Sequence, residues 1–118
     1  MERYRGRLEE LRARLGAARV GLCLNAEGAL LLPEFTPSVR ELLRVLRGET
    51  VREVVSRGET ERIHHYTFRG VLSWSVIGCP IRADGEVVGA LMVERRRNEG
   101  EFGPEALAVL EQAAALLP

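Results

Sequence analysis

The chain has 118 residues, 46% apolar and 29% charged, with seventeen basic and seventeen acidic side chains and a formal net charge of zero. That is the size of one ordinary domain, 1–118, with enough apolar residues for a single core and too many for a disordered chain. Zero net charge speaks against a mainly electrostatic partner, so neither nucleic acid nor an anionic membrane is expected, and no apolar run approaches the roughly 18 residues of a membrane span.

The N-terminal MERYRGRLEELRARLG is too charged for a secretory signal, which predicts a cytoplasmic protein. Every basic residue is Arg, Glu outnumbers Asp sixteen to one, and Gln112 is the only glutamine. This agrees with GC-rich coding and with a thermophilic habitat, and carries no functional information. Cys23 and Cys79 are too few for a disulfide framework, and no Cys/His cluster supports a metal.

Tyr4, Leu8, Leu11 and Leu15 are spaced four, three, four, which predicts a helix with one apolar stripe, ended by Gly16. ARVGLCLN and ALLLPEF flank a Gly-containing turn and read as a hairpin. Two short helices follow. The first starts at Thr36-Pro37 and faces inward through Val39, Leu42, Leu43 and Leu46; the second has Thr50 and Glu53 as a capping box, Val51, Val54 and Val55 inward, and Gly58 as its stop. ERIHHYTF reads as an edge strand, and the two apolar runs of WSVIGCPIRADGEVVGALMV form a hairpin around the polar turn Arg82-Ala83-Asp84-Gly85-Glu86. Pro104 suits the first position of a last helix, Phe102 would staple onto Leu107, and Leu107, Leu110, Ala114 and Leu117 make its stripe. Consecutive hairpins imply an antiparallel sheet. The second hairpin is apolar on both faces, so it belongs in the middle of the sheet with helices on both sides.

VIGCPIRADGEVVGALMVERR followed by GEFGPEALAVLEQAAALL resembles the C-terminal half of a GAF domain. The resemblance rests on Cys79-Pro80-Ile81, Gly85, Gly89-Ala90-Leu91 and Phe102, and is good over Ser73 to Leu117. It implies an α+β fold: a GAF-like α/β/α sandwich with a central antiparallel sheet of five or six strands, the terminal helices on one face and a short helix pair on the other. It also implies a regulatory or ligand-sensing module, often dimeric. A roadblock-type dimerisation fold has a similar size and order of elements and is the rival. Asn98, Phe102 and Glu105 echo the signature of cyclic-nucleotide-binding members, but Glu99 stands in place of its Lys and its Asp-Glu pair is missing. Members that reduce free methionine sulfoxide carry loop cysteines, of which Gly58 to Ile77 has none. Under the family's strand order the last strand separates Cys23 from Cys79. Two strand spacings are about 9–10 Å, more than the roughly 7 Å a disulfide spans, so both read as small core residues.

The richest functional patch is His64, His65, Tyr66, Phe68, Arg69 and Trp74. In a GAF-like fold it would line a pocket, with aromatics stacking on a planar ligand and His64, His65 and Arg69 hydrogen-bonding it. The plainer alternative is an edge strand with solvent-facing or half-buried histidines, of which at most one faces a given pocket. Arg95-Arg96-Arg97 would suit a phosphate, but beside Glu94 and Glu99 it reads better as a solvated turn. No catalytic motif and no cofactor site appears, so an enzyme is not expected. The chain therefore reads as a small regulatory or sensory module binding a small molecule or a protein partner. It is expected to be a homodimer, meeting its copy through Tyr4, Leu8, Leu11, Leu15, Leu110, Ala114 and Leu117 as a four-helix layer. The alternatives are a ligand-free dimerisation module and, further off, a cysteine-dependent reductase.

Overall fold

The structure, a computed structural model, describes residues 2–33, 52, 54–55, 57–68, 72–96, 99–100 and 102–117, without the side chains of 61–68 and 72–74. A 3-10 turn, Glu2–Tyr4, leads into helix α1, Arg5–Leu15, and Gly16 closes it in the left-handed conformation at φ 59°, as its position predicts. Strands β1, Arg19–Leu24, and β2, Gly28–Leu32, form the first hairpin; β3, Glu61–Phe68, β4, Leu72–Ala83, and β5, Glu86–Arg96, follow as a meander in which each strand pairs antiparallel with the next. Helix α2, Glu105–Ala115, ends the fold. Pro104 precedes its first residue, one position earlier than expected, and Phe102 is buried as a staple residue should be.

The described strands make one antiparallel sheet in the order β2-β1-β5-β4-β3. The β4–β5 hairpin turns on Asp84 and Gly85, both with positive φ, which gives the two-residue turn whose twist matches the strands. The hairpin lies inside the sheet, and β3 is an edge, as the sequence predicts. Residues 89–94 of β5 are buried without a break, so both faces of that strand are covered.

One face carries Val20, Leu22, Leu30, Leu32, Ile77, Cys79, Ile81, Leu91 and Val93, packed against Leu8 and Leu11 of α1 and Leu110 and Ala114 of α2. The terminal helices therefore share a face and form the main core with it. The other face buries Val76, Ala90 and Met92. Of the two mid-chain helices, the first, predicted over Val39 to Leu46, lies outside the described residues. From the second, Arg52, Val54, Val55 and Arg57 are helical, Val54 is fully buried, and Gly58 follows at φ 65°.

Gly89 marks the tightest approach between strands. A Cβ there would stand 2.1 Å from the Cys23 carbonyl oxygen, backbone that cannot swing aside. Gly89→Ala is expected to cost about 1–3 kcal/mol of unfolding free energy through overpacking, read as a lower urea midpoint. Gly6→Ala, whose Cβ would meet nothing within 4 Å on an exposed helix turn, should instead stabilise by up to about 1 kcal/mol.

Cys23 pairs in register with Ala90 and Cys79 with Leu91, on opposite sides of β5, so the intervening strand keeps the thiols apart. Both are free. Burial pushes both thiols up from their ordinary value; at Cys79 the Thr60 hydroxyl works against that rise and Glu111 adds to it. The expected outcome is an intact mass that reductant leaves unchanged, and iodoacetamide labelling near neutral pH that is slow in the folded protein and fast in urea. An intramolecular bridge in non-reducing mass spectrometry would contradict the strand order itself.

Candidate functional site

The sheet face turned away from α1 and α2 is built from alternate residues of β1, β5 and β4. Its floor is apolar at Val76, Ala90 and Met92, with one departure. Arg19 and Glu94 stand directly opposite each other on β1 and β5, and are 4% and 1% exposed. Charged side chains are almost never this buried unless paired. Arg19 Nη1 donates to the Pro33 carbonyl, tying the arginine to the end of β2. Sequence reasoning missed this pair. Each charge was visible as an interruption of an apolar run, ARVGLCLN and GALMVERR, but only the register brings residues so distant in sequence together.

Beside this floor lies the aromatic and histidine patch. The backbone sets Tyr66 opposite Trp74 and Ile63 opposite Val76, with the register shifting between them. Two residues of β3, His64 and His65, thus oppose one residue of β4, Ser75, which is a β-bulge. A bulge breaks the strict alternation from which one histidine per face was expected. The side chains of His64, His65, Tyr66, Phe68 and Trp74, and Arg69 altogether, lie outside the described residues. β3 and β4 therefore bring Tyr66, Phe68 and Trp74 together at the level of the backbone alone.

The helical layer has two clefts of its own. A groove of about 460 Å³ runs between α1 and α2 over Leu91. A second cleft, about 550 Å³, lies on the other flank of α2 beside Thr60, Cys79, Arg82 and Glu111. There the Thr60 hydroxyl donates to Glu111 Oε1 at 3.1 Å, and Arg82 Nη2 donates to the Gly58 carbonyl. These two bonds fasten the segment that enters β3 to α2 and to β4. The chemistry is that of a fastening: the thiol beside it is buried and raised in pKa, a poor nucleophile.

The residues expected at a dimer interface have another use. Tyr4, Leu8, Leu11, Leu110, Ala114 and Leu117 are buried against the molecule's own sheet, and Leu15 is half-buried against the same core. Of the arginine run, Arg95 lies over the Phe102 ring, 5.6 Å from its centroid, and its Nε donates to the Gly16 carbonyl at 3.1 Å. It braces the two helix ends; Arg97 lies outside the described residues. No helix among the described residues is long and apolar enough to cross a membrane.

Comparison with solved structures finds the same fold in proteins of low sequence identity. The GAF domain/HD domain protein from Geobacter sulfurreducens superposes with a TM-score of 0.65 at 14% identity, over 96% of this chain and 86% of that one. The sensory domain of the Campylobacter jejuni chemoreceptor Tlp3, solved with isoleucine bound, gives 0.56 at 20% identity, over 94% of this chain and 42% of that one. The ligand-binding domain of the Pseudomonas aeruginosa amino-acid chemoreceptor PctC, in complex with GABA, gives 0.51 at 13% identity, over 92% and 58%. Comparison with curated proteins returns no match. The family model of the GAF domain matches residues 2–117, and with the sheet and terminal helices in place the chain belongs to the GAF domain family.

Proposed function

We propose that the protein is a small regulatory or sensory module that binds a small molecule, works as a homodimer in the cytoplasm, and regulates rather than catalyses. The observation that carries this reading is the sheet face away from α1 and α2. An apolar floor interrupted by two buried charges of opposite sign at facing register positions, Arg19 and Glu94, is the usual build of a small-molecule site. In this reading the short helix pair covers that face, while His64, His65, Tyr66, Phe68, Arg69 and Trp74 make the side wall. The membership of residues 2–117 in the GAF family supports it. The isoleucine and GABA held by the two chemoreceptor domains of similar fold make amino acids the first compounds to try.

Native mass spectrometry of gently purified protein tests the reading, followed by titration with a panel of amino acids. Added mass or saturable binding is expected. Trp74→Ala or Tyr66→Ala should weaken binding by about tenfold, the scale of one lost aromatic contact, with circular dichroism unchanged. A spectrum free of added mass, no binding across the panel, and a floor filled by the protein's own side chains would together defeat it.

A further inference from the structure

The strap Gly58-Glu59-Thr60 crosses the border of the sheet. It leaves the helical turn of Arg52, Val54, Val55 and Arg57, whose Val54 is fully buried outside the core that α1 and α2 share with the sheet. The Gly58 N–H donates to the Val54 carbonyl at 2.8 Å, so the strap moves with that turn. At Gly58 it lies against Arg82 and Val87: a Cβ there would stand 3.0 Å from Arg82 Nη2 and 3.6 Å from Val87 Cγ2. Two residues later it has reached the helical layer, where the Thr60 hydroxyl donates to Glu111 Oε1 of α2 at 3.1 Å. Arg82 Nη2 makes the second fastening, on the Gly58 carbonyl. A cleft of about 550 Å³ lies between the strap and Ala114 and Ala115, so the hydrogen bond rather than packing carries the contact with α2. Both bonds are exposed, and a hydrogen bond open to water adds little net stability. Such a fastening can open while the cores on either side stay closed.

We propose that Thr60 and Glu111 form a latch that couples the cover of the ligand face to α2. Closed, the latch holds the strap against α2 and keeps the turn that buries Val54 down on the sheet. Open, it frees the strap and loosens that cover. The coupling is reciprocal: a small molecule held under the cover favours the closed latch, and a shift of α2 that withdraws Glu111 weakens the hold on that molecule. Thr60 and Glu111 are positioning residues, because both act from the helical side of the sheet. The inference rests on the reading of the opposite face as the small-molecule site and adds the means by which that site is regulated. The chain carries its own reporters. Cys79 is 3% exposed and lines the cleft beside the latch. Cys23, half-buried, alternates with Val20, Leu22 and Leu24 of the helical-side core, so it lies on the ligand face, level with Ala90.

Iodoacetamide labelling of the full chain, with each cysteine followed by peptide mapping, tests the latch. Thr60→Val keeps the size of the side chain and removes the hydroxyl. Burial raises the pKa of the Cys79 thiol and the Thr60 hydroxyl opposes that rise, so losing the hydroxyl without any opening would slow labelling at Cys79. An opened latch does the reverse. Thr60→Val should speed labelling at both Cys79 and Cys23 by about threefold to tenfold, the scale of one net hydrogen bond. The gain should not depend on urea below the unfolding transition, the mark of a local opening. Thr60→Ser, which keeps the donor, should restore wild-type rates. Glu111→Ala should speed Cys23 as much as Thr60→Val does, and the double variant no further. Cys79 unchanged or slowed in Thr60→Val would overturn the proposal. So would faster labelling confined to Cys79, gains that grow with urea in step with global unfolding, or effects of the two substitutions on Cys23 that multiply. No small molecule takes part in the measurement, so its outcome is separate from that of the binding titration.

Discussion

The fold depends on a strand that cannot face water on either side. β5 lies between β1 and β4 and is buried from Gly89 to Glu94. Fully burying one Val, Leu or Met side chain is worth about 1.5–3 kcal/mol, so a strand of this composition demands two covers. α1 and α2 provide one. The requirement also explains why the chain's two ends come together: both helices must lie over Leu91 and Val93. At Gly89, where β1 comes closest, there is no space even for a methyl group, so the two central strands are fixed in depth as well as in register.

Against that apolar background the buried Arg19 and Glu94 are costly. Removing two charges from water is repaid only when each has well-placed partners, and hydrophobic replacements are often as stable. Stability alone is therefore a weak reason for the pair. Its position gives a better one under the proposed function: it stands on the face opposite the helical layer, where polar groups would orient a ligand. The Pro33 carbonyl fixes the guanidinium from the β2 side.

Much of this was legible in the sequence where backbone conformation leaves few choices. Gly16 as a helix stop, a polar turn that contains Asp84-Gly85 and the double-sided β4–β5 hairpin follow from sterics and from the two-residue period of a strand. The family resemblance supplied the strand order that keeps Cys23 from Cys79. The helix stripes were read correctly as buried faces, but periodicity says only that a face is covered, not by what. Tyr4, Leu8 and Leu11 would show the same four-three spacing against a sheet or against a second molecule. The groove was invisible for a related reason, since its floor and walls come from α1, β5 and α2 at once. The bulge at His64 and His65 left no mark either, because inserting one residue into a strand changes its partner count and not its composition.

That bulge bears on how the molecule survives at high concentration. Among the described residues β2 and β3 are the two borders of the sheet, each with a row of backbone groups that a neighbouring chain's strand would pair with. With a formal net charge of zero there is no collective repulsion to hold copies apart. Protection against ribbon-like association therefore falls to local shape. β2 is only five residues long and is followed by Pro33, which has no N–H to offer. β3 is longer, and the extra residue at His64–His65 kinks it, so a straight incoming strand would lose its hydrogen-bond ladder midway.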